Sequence, residues 1–170
     1  MKKNILAFLA GLALLPVAAI LIASFGLWPT KATAPGPPGW ERLWAQSALR
    51  SSLARQARGV TNPVRVSNET LLAGMKIYRT NCAGCHGESG HPSHWGTTGF
   101  YPRVPQFADV PSRLSASEMF LIVKHGIRYT GMGAWDGMLT DDEIWKTVTF
   151  LSHLQSLPEP VTAVWQARHE

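Results

Sequence analysis

Cys82-Ala83-Gly84-Cys85-His86 sets the interpretation of the whole chain, because its two cysteines are the only ones among 170 residues. If two cysteines were placed at random, this spacing would arise in about one chain in 85, and the following histidine lowers that to about one in a few thousand. The pattern is therefore a functional signal. Four kinds of site use such a pattern: a redox-active dithiol, a structural disulfide, a zinc site and a haem-attachment site.

Haem attachment fits this pattern best. Two thiols at this spacing can add to the two vinyl groups on one edge of a porphyrin, and His86 then projects its imidazole over the ring as an iron ligand. A redox dithiol is typical of a βαβ context, whereas the flanks here look helical. A structural zinc site needs about four protein ligands. The motif therefore predicts one covalently bound haem c held by Cys82, Cys85 and His86.

A second axial ligand is expected to be methionine, because histidine paired with methionine raises the reduction potential of an electron carrier. Met132 lies in a Gly131-Met132-Gly133 loop between two predicted helices, where its thioether could reach the iron. Met138 lies in the same loop and is the alternative. Met75 and Met119 fall on predicted helices, where packing is the expected role. Met132 is therefore predicted as the second iron ligand.

The region from residue 63 to residue 170 is predicted to be all-α, because its apolar residues follow helical spacing and no alternating strand pattern is present. Three helix starts are predicted: Ser67 and the capping boxes Ser115–Glu118 and Thr140–Glu143. Pro158 is predicted to end the last helix. Residues 87–114 are rich in Gly, Pro and Ser and are predicted to be a long loop ordered against the cofactor.

The N-terminal part, residues 1–28, is predicted to be a transmembrane anchor. Ile5 to Trp28 is a run of 24 residues without a charge, and a helix of that length would span about 36 Å. A signal peptide cleaved after Ala32-Thr33-Ala34 is the alternative, but its apolar region would usually be about 7–15 residues long. Since haem is attached on the outer side of the membrane, we expect a single-pass protein of the inner membrane with its haem domain facing the periplasm.

Two segments join this anchor to the haem domain. Residues 29–39 are rich in Pro and Gly and predict a stiff linker. Residues 40–62 predict a basic amphipathic helix that either lies on a lipid surface or packs on the haem domain. Residues 1–60 carry a net charge of +6 and residues 61–170 a net charge of −1. The folded region lacks the basic face of a nucleic-acid-binding protein, so anionic lipid is the expected neighbour of the basic part.

Motif order and spacing across residues 67–157 resemble the membrane-anchored bacterial members of the monohaem class I cytochromes c. The shared segments are Gly74-x-x-x-Tyr78, Cys82-Ala-Gly-Cys85-His86-Gly87, Gly131-Met132-Gly-Ala-Trp135 and Leu139-Thr140-x-x-Glu143-Ile144-Trp145. The resemblance implies the cytochrome c fold, with three to four helices wrapped round a covalently bound haem. It also implies that the carbonyl of Pro105, or alternatively Pro102, accepts a hydrogen bond from His86 Nδ1.

The resemblance has further consequences for individual residues. Gly74 would allow the first and last helices of the domain to pass closely. Gly133 is a departure, since relatives often have proline after the ligand methionine, and it makes the loop more mobile. Four side chains are candidates to bond the haem propionates: Tyr101, Arg103, Arg113 and Arg128.

The expected function is reversible one-electron transfer at the haem iron, so the chain is expected to be an electron carrier rather than an enzyme. Its expected partners are a periplasmic dehydrogenase or a quinol-oxidising complex on one side and an oxidase on the other, and the chain could be a subunit of such a complex. One alternative is a haem-based sensor or catalytic haem protein in which Met132 is displaced. Another is a tethering subunit of a larger enzyme. His91 and His94 could bind a surface metal or lie in a solvated loop.

Overall fold

A computed structural model describes residues 2–27, 30–33 and 36–167. The chain divides into two compact units, Met1–Ala34 and Pro35–Glu170. The described residues contain eight helices, in the order α1 Lys2–Ser24, α2 Gly39–Gln56, α3 Asn68–Asn81, α4 Ala83–His86, α5 His94–Thr98, α6 Ala116–His125, α7 Asp141–His153 and α8 Glu159–Gln166. The β-structure in the described parts of the chain is limited to isolated β-bridges. The all-α prediction is therefore confirmed for these residues.

The N-terminal unit contains α1, which covers most of the predicted membrane anchor. The helix ends at Ser24, and Phe25 and Gly26 form a turn, so the helical part of the uncharged run is shorter than the 24 residues in the sequence. Within the described ranges, no helix combines the length and the apolar character needed to cross a bilayer. The predicted transmembrane anchor over residues 1–28, and the single-pass inner-membrane location that depended on it, are therefore wrong. Parts of the predicted anchor and linker lie outside the described residues, namely Met1, Trp28, Pro29, Ala34 and Pro35.

In the second unit, α3 and α7 pack closely against each other. Gly74 of α3 lies against the backbone carbonyl of Lys146, and a Cβ atom on residue 74 would collide with that oxygen. One turn further along α3, the ring of Tyr78 is buried and lies 5.7 Å from the ring of Phe150. The close crossing thus fixes the end of α3, which runs directly into Cys82.

The three main helices begin at the predicted caps. Each cap hydroxyl accepts a hydrogen bond from the backbone N–H three residues later, which satisfies one of the donors that a helix start leaves unpaired. The N3 side chain reaches back to the cap N–H in every case. The pairs are Ser67 with Thr70, Ser115 with Glu118 and Thr140 with Glu143. These local predictions are confirmed.

Two helices were not predicted. His94–Thr98 forms α5 inside the predicted loop, and the Ser93 hydroxyl caps it by accepting from the Gly96 N–H. Pro158 does not mark the end of helical structure, because it is the N-cap residue of α8. Trp165 of α8 is 6% exposed and belongs to the core cluster that α3 and α7 form. The final helix therefore closes one side of the core.

The helix α2 has two different surroundings along its length. Its Leu53 is only 5% exposed, and α2 contacts α6. At the other end of the same helix, Trp40 and Trp44 are exposed. Within the second unit, the C-terminal half of α2 thus contributes a buried residue, while the two tryptophans of its N-terminal half are exposed.

Candidate functional site

A cavity of about 250 Å³ opens at the end of α3. Its walls are mostly apolar. One group of lining residues belongs to the cysteine motif and another to the loop before α7. The residues predicted for the site all line it, together with the alternatives considered for two of them: Cys82, Cys85, His86, Pro105, Met132, Pro102 and Met138. The fold therefore gathers into one cavity residues that are up to 56 positions apart in the sequence.

His86 occupies the last position of α4, and one of its ring nitrogens is engaged. Its Nδ1–H donates a hydrogen bond of 2.9 Å to the carbonyl oxygen of Pro105, not of Pro102. The imidazole also stacks on the ring of Phe107, with centroids 4.7 Å apart and planes at 12°. Burial lowers the pKa of His86, and the bond to Pro105 opposes that shift. The ring is thus held as a neutral imidazole whose Nε2 keeps a lone pair for a metal.

Cys82 and Cys85 are not joined in a disulfide and lie three residues apart, with Cys82 at the N-cap of α4 and Cys85 within it. Burial raises the pKa of the Cys82 thiol to about 12, and the neighbouring Cys85 adds to the rise. Redox-active dithiols need a lowered thiol pKa, because the thiolate is the nucleophile. This shift is opposite to the one that a dithiol catalyst needs, and a half-buried thiol beside an apolar cavity suits attachment to an apolar group.

Three carbonyl oxygens at the end of the motif, those of Gly84, Cys85 and Gly87, each accept a hydrogen bond from a side chain outside it. Tyr78 Oη donates to the carbonyl of Gly87 at 2.8 Å, and Ser93 Oγ donates to that of Gly84 at 2.6 Å. Gln106 Nε2 donates to the carbonyl of Cys85 at 3.1 Å. These bonds occupy acceptors that the end of a short helix leaves unpaired. The sequence pattern did not reveal this role for Gln106 or Ser93; the only signal was that Gln106 follows Pro105.

The Met132 loop is held by hydrogen bonds on both sides. The Met132 N–H donates to Thr130 Oγ1 at 3.1 Å, and the Met132 carbonyl accepts from the Ile127 N–H at 2.9 Å. Further along, the Trp135 N–H donates to the carbonyl of Val123 at 3.1 Å. The backbone around Met132 is therefore tied to the end of α6, and Gly133 does not stand in an unsupported loop.

The two candidate methionines differ in their surroundings. Met132 is half-buried and packs against the core cluster formed by α6 and α7. Met138 lines the same cavity but is 65% exposed. A ligand held by packing loses less freedom when it binds, so Met132 is the better candidate of the two.

The remaining candidates divide between the cavity and the surface. Arg103 lines the cavity and donates to the carbonyls of Thr98 and Phe100, both at 2.6 Å. His91 and His94 are exposed. In the described part of the chain, no group of three or more His, Cys, Asp or Glu side chains is arranged to hold a metal ion. This finding gives no support to a zinc site at the motif or to a metal site at His91 and His94.

The donor set of the cavity fits a covalently attached haem. Two thiols offer attachment points, a neutral imidazole offers nitrogen, and a thioether offers sulfur, within mostly apolar walls. Imidazole and thioether are the axial ligands found together in c-type cytochromes. Arg103 is the cavity residue able to pair with an acidic substituent of such a group.

Comparison with known proteins finds a family that matches part of the chain. Residues 69–151 match the family model described as cytochrome C oxidase, cbb3-type, subunit III. The match includes the cysteine motif, Pro105 and Met132, and it leaves out α2 and α8. No curated protein matches the chain. The matched segment supports a class I c-type cytochrome that binds haem c and carries electrons.

Proposed function

We propose that the region from residue 63 onward is a monohaem c-type cytochrome domain that carries single electrons. Cys82 and Cys85 are the proposed covalent attachment points, and His86 and Met132 the proposed axial ligands, with Pro105 orienting His86. The observation that carries the proposal is their common cavity, because residues up to 50 positions apart line one mostly apolar space.

When bound, the haem supplies reversible one-electron Fe(III)/Fe(II) chemistry. The chain's own residues do the rest. Pro105 holds the imidazole of His86 in one tautomer, which leaves Nε2 available on the cavity side. Met132 offers a polarisable thioether from a loop tied to α6. Two protein ligands leave no open position for a substrate, so the arrangement favours a carrier over an enzyme.

We infer that the partners are redox proteins of an oxidase complex, because the matched family is described as subunit III of a cbb3-type oxidase. A dehydrogenase or a quinol-oxidising complex would supply the electrons. Residues 61–170 carry a net charge of only −1, so long-range steering by net charge is expected to be weak.

Exposure of the reduced protein to carbon monoxide tests this function against a haem-based sensor. A carrier with two firm protein ligands should keep its absorption spectrum on mixing, because no position is free for the gas. Rapid formation of a carbon monoxide adduct would contradict the proposal and favour a sensor with a displaceable Met132. Denatured protein, in which the ligands are released, is the positive control for gas binding.

A further inference from the structure

Gln106 is a buried polar residue beside the site, and its contacts extend beyond the carbonyl of Cys85. It is 9% exposed, and its side-chain amide makes three hydrogen bonds. Nε2 donates to the carbonyls of Cys85 at 3.1 Å and Val104 at 3.0 Å, and Oε1 accepts from the Ser93 N–H at 2.7 Å. A flipped amide would place an acceptor against two carbonyls, so the network itself fixes the orientation.

Two glycines, Gly87 and Gly96, leave room for the Gln106 amide. A Cβ atom on Gly87 would lie 2.6 Å from Gln106 Oε1. A Cβ atom on Gly96 would lie 3.1 Å from Gln106 Nε2 and would collide with the carbonyl of Cys85. Larger residues at either position would push the amide away. The close packing is therefore built from three separate segments of the chain.

The Gln106 amide forms a hydrogen-bonded bridge that lies next to the proposed iron ligand, His86. The hydrogen bond from His86 to Pro105 joins the cysteine motif to the segment around Pro105. The Gln106 amide joins the same two segments, because it donates to Cys85, the residue before His86, and to Val104, the residue before Pro105. The backbone on both sides of Pro105, at Val104 and Gln106, is thus tied to Cys85, the residue before His86. Movement of the Val104–Gln106 segment away from His86 would stretch the bond from Nε2 to the Cys85 carbonyl, while the bond to Val104 keeps the amide aligned on its own segment.

We propose that Gln106 is a positioning residue that holds the Pro105 carbonyl on His86 and thereby sets how strongly His86 donates to the haem iron. This inference rests on the proposed function. A firm bond from Nδ1 makes an imidazole more basic and stabilises the oxidised iron. Loss of the Gln106 bridge should therefore loosen the Nδ1 bond and raise the reduction potential.

The test compares the wild-type holoprotein with Q106L, Q106E and T149V. Q106L removes all three bonds, whereas Q106E keeps the acceptor for Ser93 and removes both donors. T149V is the matched control, because Thr149 is buried and its hydroxyl bonds the Trp145 carbonyl and the Asn62 amide away from His86. The measurements are the thermal midpoint, the reduction potential and the exchange rate of the His86 Nδ1 proton, followed by NMR with isotope-labelled histidine.

All three variants should lower the thermal midpoint. Q106L should raise the potential, and both Gln106 variants should speed the Nδ1 proton exchange by about tenfold for one lost hydrogen bond, whereas T149V should change neither. If Q106L fails to fold, the Nδ1 proton exchange rate of Q106E decides, because the new carboxylate would itself lower the potential. An unchanged potential and exchange rate in the folded Gln106 variants would reduce Gln106 to a packing role and overturn the inference. A wild-type protein without a haem spectrum would instead overturn the proposed function, before any variant is compared.

Discussion

Individual residues around the cavity have surroundings that suit ligand binding. The bond to Pro105 uses Nδ1 of His86, and burial lowers the pKa of the ring, so the imidazole is neutral when a metal approaches. A protonated imidazole has no lone pair to offer. At Cys82, burial has the opposite consequence, because it keeps the thiol protonated. Burial therefore prepares the imidazole for a metal and makes the thiol a poor redox nucleophile.

Replacement of each cavity methionine by alanine separates the two ligand candidates. M132A should lose the methionine–iron charge-transfer band, and its reduction potential should fall by on the order of a hundred millivolts, within the roughly 0.8 V range that axial ligands control. M138A is the matched control and should keep both, because Met138 is 65% exposed. Optical spectra detect the band, and redox titration gives the potential. Loss of the band and a fall in potential in M138A but not in M132A would assign the ligand to Met138.

Among the helices, those marked by sequence patterns over a few neighbouring residues could be predicted, and those that depend on contacts distant in the sequence could not. Ser67, Ser115 and Thr140 cap helices through bonds that span three residues, so their sequence pattern is sufficient. The helix α5 has five residues, too few for a periodic pattern, and Pro158 can end one helix or begin another. The sequence therefore predicted the helices in which a capping pattern precedes a periodic apolar pattern, and missed α5, which is too short for such a pattern, and α8, which has no side-chain cap.

The capping box of α7 predicts a dependence of stability on pH. The Glu143 carboxylate accepts from the Thr140 backbone N–H and hydroxyl, both at 2.8 Å, and these bonds lower the pKa of Glu143. A carboxyl whose pKa is lowered by folding adds stability above its unfolded pKa, and loses it as the pH falls through the folded value. E143Q should therefore melt below wild type near neutral pH, and the difference should narrow below about pH 4.

Circular dichroism melts of the two proteins, compared at each pH, measure this difference without interference from other titrating groups. In a T140A background, which lacks the hydroxyl donor, the pH-dependent part of the difference should shrink. A difference between E143Q and wild type that stays constant from neutral to acid pH would show that the capping bonds do not shift the titration of Glu143.

On the scale of the whole molecule, the second unit is larger than the segment that the family model matches. Trp165 of α8 packs edge-on against Tyr78 and Phe150, with ring centroids 5.9 Å and 5.2 Å away. Arg79 of α3 lies over the Trp165 ring and donates to the carbonyl of Trp165 at 2.9 Å. Since Tyr78 also bonds Gly87, the C-terminal helix supports the backbone of the haem motif through one intervening ring.

Truncation of two tryptophans to alanine tests whether α8 is integral to the fold. W165A should lower the free energy of unfolding by about 3–5 kcal/mol, because a large core side chain is lost. W44A should stay within about 0.5 kcal/mol of wild type, because Trp44 is 78% exposed. Denaturant titrations of both variants give the values. Equal effects of the two substitutions would mean that α8 is not part of the cooperative core.

The site and the membrane prediction show where sequence reasoning succeeds and fails. The cysteine motif and Met132 could be picked out because their residue types are rare and their chemistry is specific. Gln106 could not, because its three partners lie in segments that only the fold brings together. The transmembrane prediction counted uncharged residues, while the described helix stops at Ser24. Composition alone did not locate the end of that helix.

The most direct measurement is mass spectrometry of the peptide that contains Cys82 and Cys85, after the protein is produced in cells able to mature c-type cytochromes and then denatured and digested. The peptide should retain the mass of one haem, joined through both sulfur atoms, and the C82S/C85S variant should release its haem on denaturation. A wild-type peptide with two free thiols or a disulfide, and no attached haem, would contradict the account.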